Sequence, residues 1–351
     1  MAVLLAAGPA GATLTFEGIN AWRSPCLLSA EGDNVEPLGR VGCIGPVEAS
    51  SALGRPFTFR FGVRRTVVLA EGWDRYSRAV AYLNANGAQG LPIITTEGLL
   101  DPRLPSSAYR AFVRDTIERL DAGTFEIANE PNSGAGGEFT QDPRAFGNRL
   151  CSAYRGWRDA GSHSDVSFVT GGLATPSRSA ALDYLDHTAN QLERSCGAAA
   201  WSRFSAIGVH LYARTPYEAA GTVVALHAWL HHRGLEHVRI AITEYAWSST
   251  ALGEHEQRDN QVEFQQWAHA NRHKCGIAAT YWFASRDRIN ETKGLGLTHS
   301  DSSPKLVFWS WLAFLGDHGI AGDAIASRAV SPGREHLARQ TSGRACRRAH
   351  P

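Results

Sequence analysis

The feature that most constrains the fold is an alternation of apolar, β-rich segments with helical segments from residue 57 onward. The β-rich segments are 57–63, 91–96, 124–129, 166–171, 204–212, 238–243 and 277–283. The helical patterns between and after them are 74–87, 107–120, 143–161, 179–195, 218–234, 261–276 and 303–316. Parallel strands need a connection of helix length, so this order predicts a parallel sheet with helices packed outside it.

Residues 13–20 (TLTFEGIN) supply a further strand, which gives eight strands in all. Eight such units in a chain of this length fit a closed (β/α)8 barrel, also called a TIM barrel, better than an open α/β sheet. Residues 21–56 are rich in Gly, Pro and Ser, show no clear helix, and predict a long loop after the first strand. The expected organisation is an N-terminal segment 1–12, a single catalytic barrel 13–317 and a short C-terminal tail 318–351.

Composition excludes several function classes. Lys and Arg total 35 against 34 for Asp and Glu, so no net field attracts nucleic acid. Apolar residues make up 43% of the chain, which is enough for a large buried core, yet no apolar run approaches the roughly 20 residues that span a bilayer. We therefore expect no nucleic-acid partner, no membrane span and a monomer.

The six cysteines favour an oxidising compartment. None belongs to a Cys-x-x-Cys pair, which argues against zinc ribbons and redox motifs. We predict the disulfides Cys26–Cys43, Cys151–Cys196 and Cys275–Cys346, with free buried thiols as the alternative. The first residues, MAVLLAAGPAGA, resemble the end of a secretory signal or else form a buried first segment. We expect an extracellular or periplasmic protein.

Polar side chains stand where the predicted strands end, which is where (β/α)8 enzymes carry their active sites. The fourth strand runs into Asn129 and Glu130, and the seventh ends at Glu244. The sixth carries His210 and Tyr212. Two glutamates across a barrel mouth are what glycoside hydrolysis needs, one as proton donor and one as nucleophile or base.

The segments FEIANEPN and IAITEY resemble the acid/base and nucleophile strands of clan A glycoside hydrolases, with family 39-like and family 5-like members the most similar. The resemblance covers about residues 57–287. It implies that Glu130 is the general acid/base and Glu244 the nucleophile of a retaining reaction. Its further implied site residues are Asn129 on the sugar 2-hydroxyl, Arg60 and Tyr212 beside the nucleophile, and Trp282 as the floor under the sugar.

Other rim residues have both a functional and a structural interpretation. His210 contacts substrate or the Glu130 loop, or is a satisfied interior histidine. Trp247 extends an aromatic platform, and Glu97 contacts substrate hydroxyls or only begins a helix; Asp287 raises the same question as Glu97. The 14 histidines show no metal motif and no strand is followed by a nucleotide fingerprint, so neither a metal nor a cofactor is expected.

The function predicted from the sequence is a retaining glycoside hydrolase that cleaves a β-type bond in a poly- or oligosaccharide. Its carboxyl groups are expected about 5–5.5 Å apart, and the pKa of Glu130 is expected to be raised by burial or by its neighbour. Two alternatives stay open. One is a catalytically silent barrel that binds carbohydrate, and the other is a transglycosylase that uses the same residues.

Overall fold

The structure is a computed structural model that describes residues 14, 17–20, 57–95, 104–133, 142–161, 165–175, 177–287, 294–301, 303–315 and 346. Its strands are β1 (Glu17–Asn20), β2 (Thr58–Arg64), β3 (Gln89–Thr95), β4 (Thr124–Asn129), β5 (Ser167–Ala174), β6 (Phe204–Leu211), β7 (Arg239–Tyr245) and β8 (Ile277–Trp282). Each strand pairs in parallel with the next, and β1 also pairs with β8. The sheet is therefore a closed barrel, and the predicted (β/α)8 fold is confirmed.

The helices cover the outside of this barrel. They are α1 (Arg65–Glu71), α2 (Asp74–Ala85), α3 (Ser106–Arg119), α4 (Pro143–Asp159), α5 (Arg178–Cys196), α6 (Pro216–His232), α7 (Ser249–Leu252), α8 (Glu254–Asn271) and α9 (Leu306–Leu315). Side-chain caps at Asp142, Ser177 and Thr215 accept backbone N–H groups at the starts of α4, α5 and α6. Two of these helices also begin with proline, whose fixed φ suits the first turn.

The starts of two helices differ most from the sequence-based expectation. The helix after β2 was expected at residue 74, but a short helix, α1, already begins at Arg65. Helix α8 begins at Glu254 and not at 261, because its first turns carry polar residues, among them the buried Gln257, and apolar periodicity gives no signal there. Two strand ends also differ: β5 ends at Ala174 and not at 171, and β7 ends at Tyr245 and not at 243, so Glu244 lies within β7.

The alternation of side chains along the strands separates two cores. Outward-facing residues such as Phe59, Phe61 and Phe125 pack between the sheet and the helices. A smaller cluster contains Leu91, Val169, Ala206, Ala241, Ala279 and Tyr281, from β3, β5, β6, β7 and β8. Its members alternate with the outward-facing set, so they fill the barrel interior. Polar and charged side chains fill the barrel toward the carboxyl ends of the strands.

Two of the predicted disulfides fall among the described residues, and both are present. Cys151 in α4 bonds to Cys196 at the end of α5, with 5.6 Å between their Cα atoms. Cys275 bonds to Cys346 with a Cα separation of 5.3 Å, which joins the segment before β8 to the C-terminal tail. The predicted Cys26–Cys43 bond, the segment 1–12, the loop 21–56 and all of the tail but Cys346 lie outside the described residues. Across the part of the chain that is described, no helix is long and apolar enough to cross a membrane.

Candidate active site

Arg60 lies at the centre of the polar layer. It alternates with Phe59 and Phe61 along β2, so it points into the barrel, where its side chain is fully buried. Its Nε and Nη2 donate to the two oxygens of Glu126 at 2.5 and 2.9 Å. Its Nη1 donates to Glu244 Oε1 at 2.6 Å, and Nη2 also donates to Asn129 Oδ1 at 2.7 Å. The guanidinium therefore links β2 to side chains of β4 and β7.

Burial alone would disfavour the charged form of Arg60. The charges and hydrogen bonds of Glu126 and Glu244 outweigh that penalty, and the pKa of Arg60 is raised above its usual value. Arg60 is thus a permanent positive charge inside the barrel. Arg60 lies beside Glu244, as the resemblance implies, with a contact of 2.6 Å, and it also forms an interior ion pair with Glu126.

The end of β4 has irregular backbone. Ala128 has a φ of 69° and Glu130 a φ of 42°, both in the left-handed region that non-glycine residues rarely adopt. Regular alternation would put Glu126 and Asn129 on opposite faces of the strand, but both contact Arg60. The Glu130 amide also donates to the Gly172 carbonyl of β5 at 3.1 Å. The strained backbone at these two residues allows Glu126, Asn129 and Glu130 to point into one site.

His210 in β6 bridges the two glutamates. Its ring is fully buried, and Nδ1 lies 3.0 Å from Glu130 Oε1 and 3.5 Å from Glu244 Oε2. On the other side, Nε2 lies 3.3 Å from Arg60 Nη2, a group that can only donate. Nε2 must therefore present its lone pair, so we assign the proton to Nδ1, which donates to Glu130.

Gly172 makes room for the His210 ring. A Cβ on Gly172 would lie 2.1 Å from His210 Nε2 and 2.7 Å from Thr243 Oγ1. Its neighbour Gly171 is equally constrained, because a Cβ there would lie 2.6 Å from the Ile127 carbonyl oxygen. The paired glycines of β5 are thus explained by packing inside the barrel and not by a nucleotide fingerprint.

Glu244 ends β7 and has two donors. Arg60 Nη1 donates to Oε1, and the Tyr212 hydroxyl donates to Oε2 in a short hydrogen bond. The residue is only 6% exposed, whereas the Tyr212 ring is 41% exposed with its hydroxyl directed inward. Burial of that hydroxyl and the charge of Glu244 raise the pKa of Tyr212 well above its usual value. Tyr212 therefore stays protonated and remains a donor to Glu244.

The two glutamates are close together and differ in environment. One carboxylate oxygen of Glu130, one ring nitrogen of His210 and one carboxylate oxygen of Glu244 lie within 4.8 Å of one another. The Glu130 side chain is 24% exposed, compared with 8% for that of Glu244. Burial raises the pKa of Glu130, but the hydrogen bond and the electrostatic attraction of the His210 Nδ1–H group, together with the charge of Arg60, lower it more. The net pKa is below its usual value, which is opposite to the sequence-based expectation, because that expectation did not include the His210 contact.

Trp282 and Trp247 do not reach the site. Trp282 is fully buried in the shell between sheet and helices, where its Nε1 donates to the Leu295 carbonyl and its ring packs edge-on against Tyr245. Trp247 is 3% exposed and packs against Tyr245 and Phe264. Neither ring has a free face for a sugar, so both predicted substrate contacts are corrected here. Phe283, which follows β8, is half-buried with its ring 6.0 Å from that of Tyr212.

Of the remaining rim carboxylates, Asp287 does not join the cluster. Glu97 lies outside the described residues, so its role stays a prediction. Asp287 forms an ion pair of 2.5 Å with the buried Lys305 and accepts the Gly296 amide at 2.7 Å. These contacts give Asp287 the structural role of fixing the segment after β8.

A metal ion has one candidate set among the described residues, namely Glu130, His210 and Glu244. Two carboxylates and an imidazole are ordinary ligands for a divalent cation. The Arg60 guanidinium, however, already donates to Glu244 and lies against the His210 ring, so a positive charge occupies the position that would favour a cation. The arrangement suits proton transfer and attack by a carboxylate better than metal binding.

Glu126 is the site residue that the sequence analysis missed. It stands inside the apolar segment FEIAN and was taken as one residue of a strand. The signal was available, since its neighbours Phe125 and Ile127 face the helices and alternation therefore directs Glu126 into the barrel. A charged side chain at an interior position calls for a partner, and Arg60 is that partner.

Comparison of the sequence with protein-family models and with curated proteins gives no match. Comparison of the structure with solved structures does. A monomeric beta-xylosidase from Caulobacter crescentus superposes with a TM-score of 0.59 and 14% identity, over 88% of this chain and 69% of that one. A family 39 glycoside hydrolase from Bacteroides cellulosilyticus gives 0.57 and 14%, over 86% and 64%.

A family 1 β-glucosidase from Thermotoga maritima has a TM-score of 0.58 and 12% identity, over 88% of this chain and 98% of the glucosidase. These neighbours are clan A glycoside hydrolases, the group that the sequence motifs resemble. At such low identity the similarity shows that the chain shares their (β/α)8 fold.

Proposed function

We propose that this chain is a retaining glycoside hydrolase that cleaves a β-type bond in a poly- or oligosaccharide, with Glu130 as general acid/base and Glu244 as nucleophile. The observation that carries the proposal is the closeness of the two carboxylates: one oxygen of Glu130 and one oxygen of Glu244 lie within 4.8 Å of each other. Retaining enzymes separate these groups by about 5–5.5 Å, whereas inverting enzymes leave about 6.5–9.5 Å for a water molecule. The present spacing supports direct attack on the sugar.

In the first step Glu244 attacks the anomeric carbon while Glu130 protonates the departing glycosidic oxygen. The bond from the anomeric carbon to that oxygen breaks, and a bond to a Glu244 oxygen forms. In the second step the Glu130 carboxylate takes a proton from water, the water oxygen attacks the anomeric carbon, and Glu244 leaves. Two inversions return the original configuration.

The environments of the two groups support this division of roles. Glu244 accepts hydrogen bonds on both oxygens, from Arg60 Nη1 at 2.6 Å and from the Tyr212 hydroxyl, and these bonds orient its carboxylate. Glu130 is more exposed, and its Oε1 lies 3.0 Å from His210 Nδ1. Arg60 holds Asn129 by its carbonyl oxygen, so the amide N–H2 group is the part of Asn129 that can donate to a sugar hydroxyl.

The pKa of Glu130 bears on the pH range of the reaction. Because that pKa is lowered in the free site, the protonated form needed for the first step is favoured only at acidic pH. We therefore expect kcat/KM to be highest at acidic pH and to fall as the pH rises through the pKa of Glu130.

The first experiment screens aryl β-glycosides and polysaccharides and follows the first-formed anomer by NMR. Retention is the expected outcome. Formation of the opposite anomer would contradict the nucleophile role, and binding without turnover would favour the carbohydrate-binding alternative. Transfer of the sugar to an added glycan in preference to water would identify the transglycosylase.

The second experiment separates the two glutamates. With azide and an activated aryl β-glycoside, Glu244→Gly should give the inverted, α-configured glycosyl azide, because azide replaces the missing nucleophile. Under the same conditions Glu130→Ala should give the β-configured azide, because azide intercepts the glycosyl-enzyme. Exchange of these two products between the variants would reverse the assignment.

Secretion and a monomeric state belong to the same proposal. Two disulfides among the described residues support an extracellular or periplasmic location, and one structural neighbour is described as monomeric. Thiol labelling of the denatured, unreduced chain should detect no free cysteine. Two free thiols, at Cys26 and Cys43, would remove the third predicted bond, and a dimer in sedimentation would contradict the monomer.

A further inference from the structure

Glu126 has no direct access to substrate, yet every contact that it makes leads to the site. It is fully buried, and its two oxygens accept from Arg60 Nε and Nη2 at 2.5 and 2.9 Å. Oε1 also accepts the Gly172 amide at 2.8 Å, and the Thr243 hydroxyl lies 3.4 Å from it. The carboxylate is thus held by four donors on three other strands.

These contacts fix the direction of the Arg60 guanidinium. A guanidinium is planar and rigid. Hydrogen bonds from Nε and Nη2 to Glu126 therefore also determine the direction in which Nη1 points. In this structure Nη1 is aimed at Glu244 Oε1, and the second hydrogen of Nη2 at Asn129. The aim of Arg60 therefore depends on a carboxylate that lies deeper in the barrel than either catalytic glutamate.

Glu126 also offsets a charge. The polar layer holds one guanidinium and three carboxylates in contact with one another or with His210, and Glu126 is the carboxylate without a proposed chemical step. The groups that face it or its partner Arg60 are Asn129 and Glu130 from β4, Gly172 from β5, His210 and Tyr212 from β6, and Thr243 and Glu244 from β7. Without Glu126, the whole Arg60 charge would act on Glu130 and Glu244.

We propose that Glu126 is a positioning residue that orients Arg60 toward Glu244 and partly neutralises the positive charge of Arg60. Glu126 would thereby influence the pH ranges over which Glu130 and Glu244 are protonated. The inference rests on the proposed function for its kinetic test but not for its titration test. Removing one negative charge favours ionisation of the remaining carboxyl groups. Their titrations should therefore move to lower pH when Glu126 is neutralised.

Two substitutions separate charge from reach. Glu126→Gln keeps the size of the side chain and removes its charge. Both the acidic and the alkaline limb of the pH profile of kcat/KM should then shift to lower pH by about one unit. Glu126→Asp keeps the charge and shortens the side chain. It should keep the position of both limbs while kcat falls about tenfold, because Arg60 is no longer held in line with Glu244.

A matched control is Glu256→Gln, which removes the same charge from the exposed start of α8 and should shift neither limb. The assay uses the aryl β-glycoside that the full-length protein hydrolyses fastest. If Glu126 has only a structural role, both Glu126 variants should be less stable. The pH profile of kcat/KM, measured on the protein that remains folded, should then be unchanged.

A titration that needs no turnover accompanies the kinetics. Side-chain carboxyl groups are labelled with ¹³C-glutamate, and the signals are assigned with Glu130→Gln and Glu244→Gln. In folded Glu126→Gln both titrations should move to lower pH. Unchanged titrations would overturn the inference even if the protein is a hydrolase. Shifted titrations in a protein that hydrolyses no glycoside would sustain the inference and reject the proposed function.

Where Glu126→Gln fails to fold, Thr243→Val provides a second test. It removes the hydroxyl near Glu126 Oε1 and leaves the charge in place. Both carboxyl titrations should then stay within about 0.3 pH units of the unsubstituted protein, whereas Glu126→Asp should still lower kcat. Failure of Glu126→Asp to lower kcat would overturn the positioning role.

Discussion

At the scale of single residues, six of the predicted site residues come together and two do not. Arg60, Asn129, Glu130, His210, Tyr212 and Glu244 meet at the carboxyl ends of β2, β4, β6 and β7. Sequence motifs could locate them because all but Arg60, which lies within β2, stand at or next to the end of an apolar strand. The burial of Trp282 could not be predicted, since strand ends with register shifts do not follow simple alternation.

His210 gives the first prediction. Its Nδ1–H stabilises the Glu130 carboxylate, and this bond is one reason why the pKa of Glu130 is lowered. His210→Asn shortens the side chain and removes the bond, so the pKa of Glu130 should rise. The alkaline limb of the kcat/KM profile should then move to higher pH by about one unit. A limb that stays in place or moves down would show that His210 does not control Glu130.

Phe283 gives the second prediction. It is the half-buried aromatic side chain at the end of β8, and its ring lies edge-on to Tyr212. We expect Phe283→Ala to raise KM about tenfold, equivalent to ~1.4 kcal/mol of binding, with a smaller change in kcat. The matched variant Trp282→Phe should lower the melting temperature and leave KM unchanged. The reverse pattern would restore Trp282 as the residue under the sugar.

At the scale of elements, strand order was predictable and local irregularity was not. Eight strands followed from apolar segments at helix-length spacing, because parallel crossovers leave few other solutions. The positive φ values at Ala128 and Glu130 have no signal in the sequence, since neither residue type prefers that conformation. The tertiary contacts of Asn129 and Glu130 compensate for the strain.

The close packing of β5 against β6 gives the third prediction. A methyl group at Gly172 would overlap the His210 ring and the Thr243 hydroxyl. Gly172→Ala should therefore cost about 1–3 kcal/mol in the free energy of unfolding and lower kcat by displacing His210. Combined with His210→Asn, the same substitution should cost clearly less stability. Equal costs in both backgrounds would mean that the ring does not set the constraint.

The disulfide between α4 and α5 gives the fourth prediction. It closes a loop of 45 residues, for which chain entropy predicts about 4 kcal/mol of stabilisation. Replacing Cys151 and Cys196 together by serine should lower the urea midpoint accordingly. Because both cysteines lie in the outer helices, kcat at 25 °C should not change. A loss of activity in the folded protein would show that these helices also position the site.

At the scale of the whole molecule, the sequence supported the architecture and the site but not the substrate. Fold and site depend on strands, whose patterns are regular, and on motifs at their ends. Sugar selectivity in a (β/α)8 barrel depends on the loops that follow the strands, where the sequence shows no periodicity to interpret. The alternation of strands and helices therefore predicted the barrel and which strand ends meet, but it carries no information about a substrate.

The charged layer around Arg60 has a consequence for how the barrel can change. A buried ion network is generally less stabilising than apolar side chains of the same volume. Here the charged layer holds the two glutamates proposed to react, and it contributes less stability than the apolar layer of Leu91, Val169 and Ala206. A related protein that does not need this chemistry would tolerate leucine or methionine at the positions of Arg60 and Glu126. Its melting temperature would be higher than that of the protein with the charged layer.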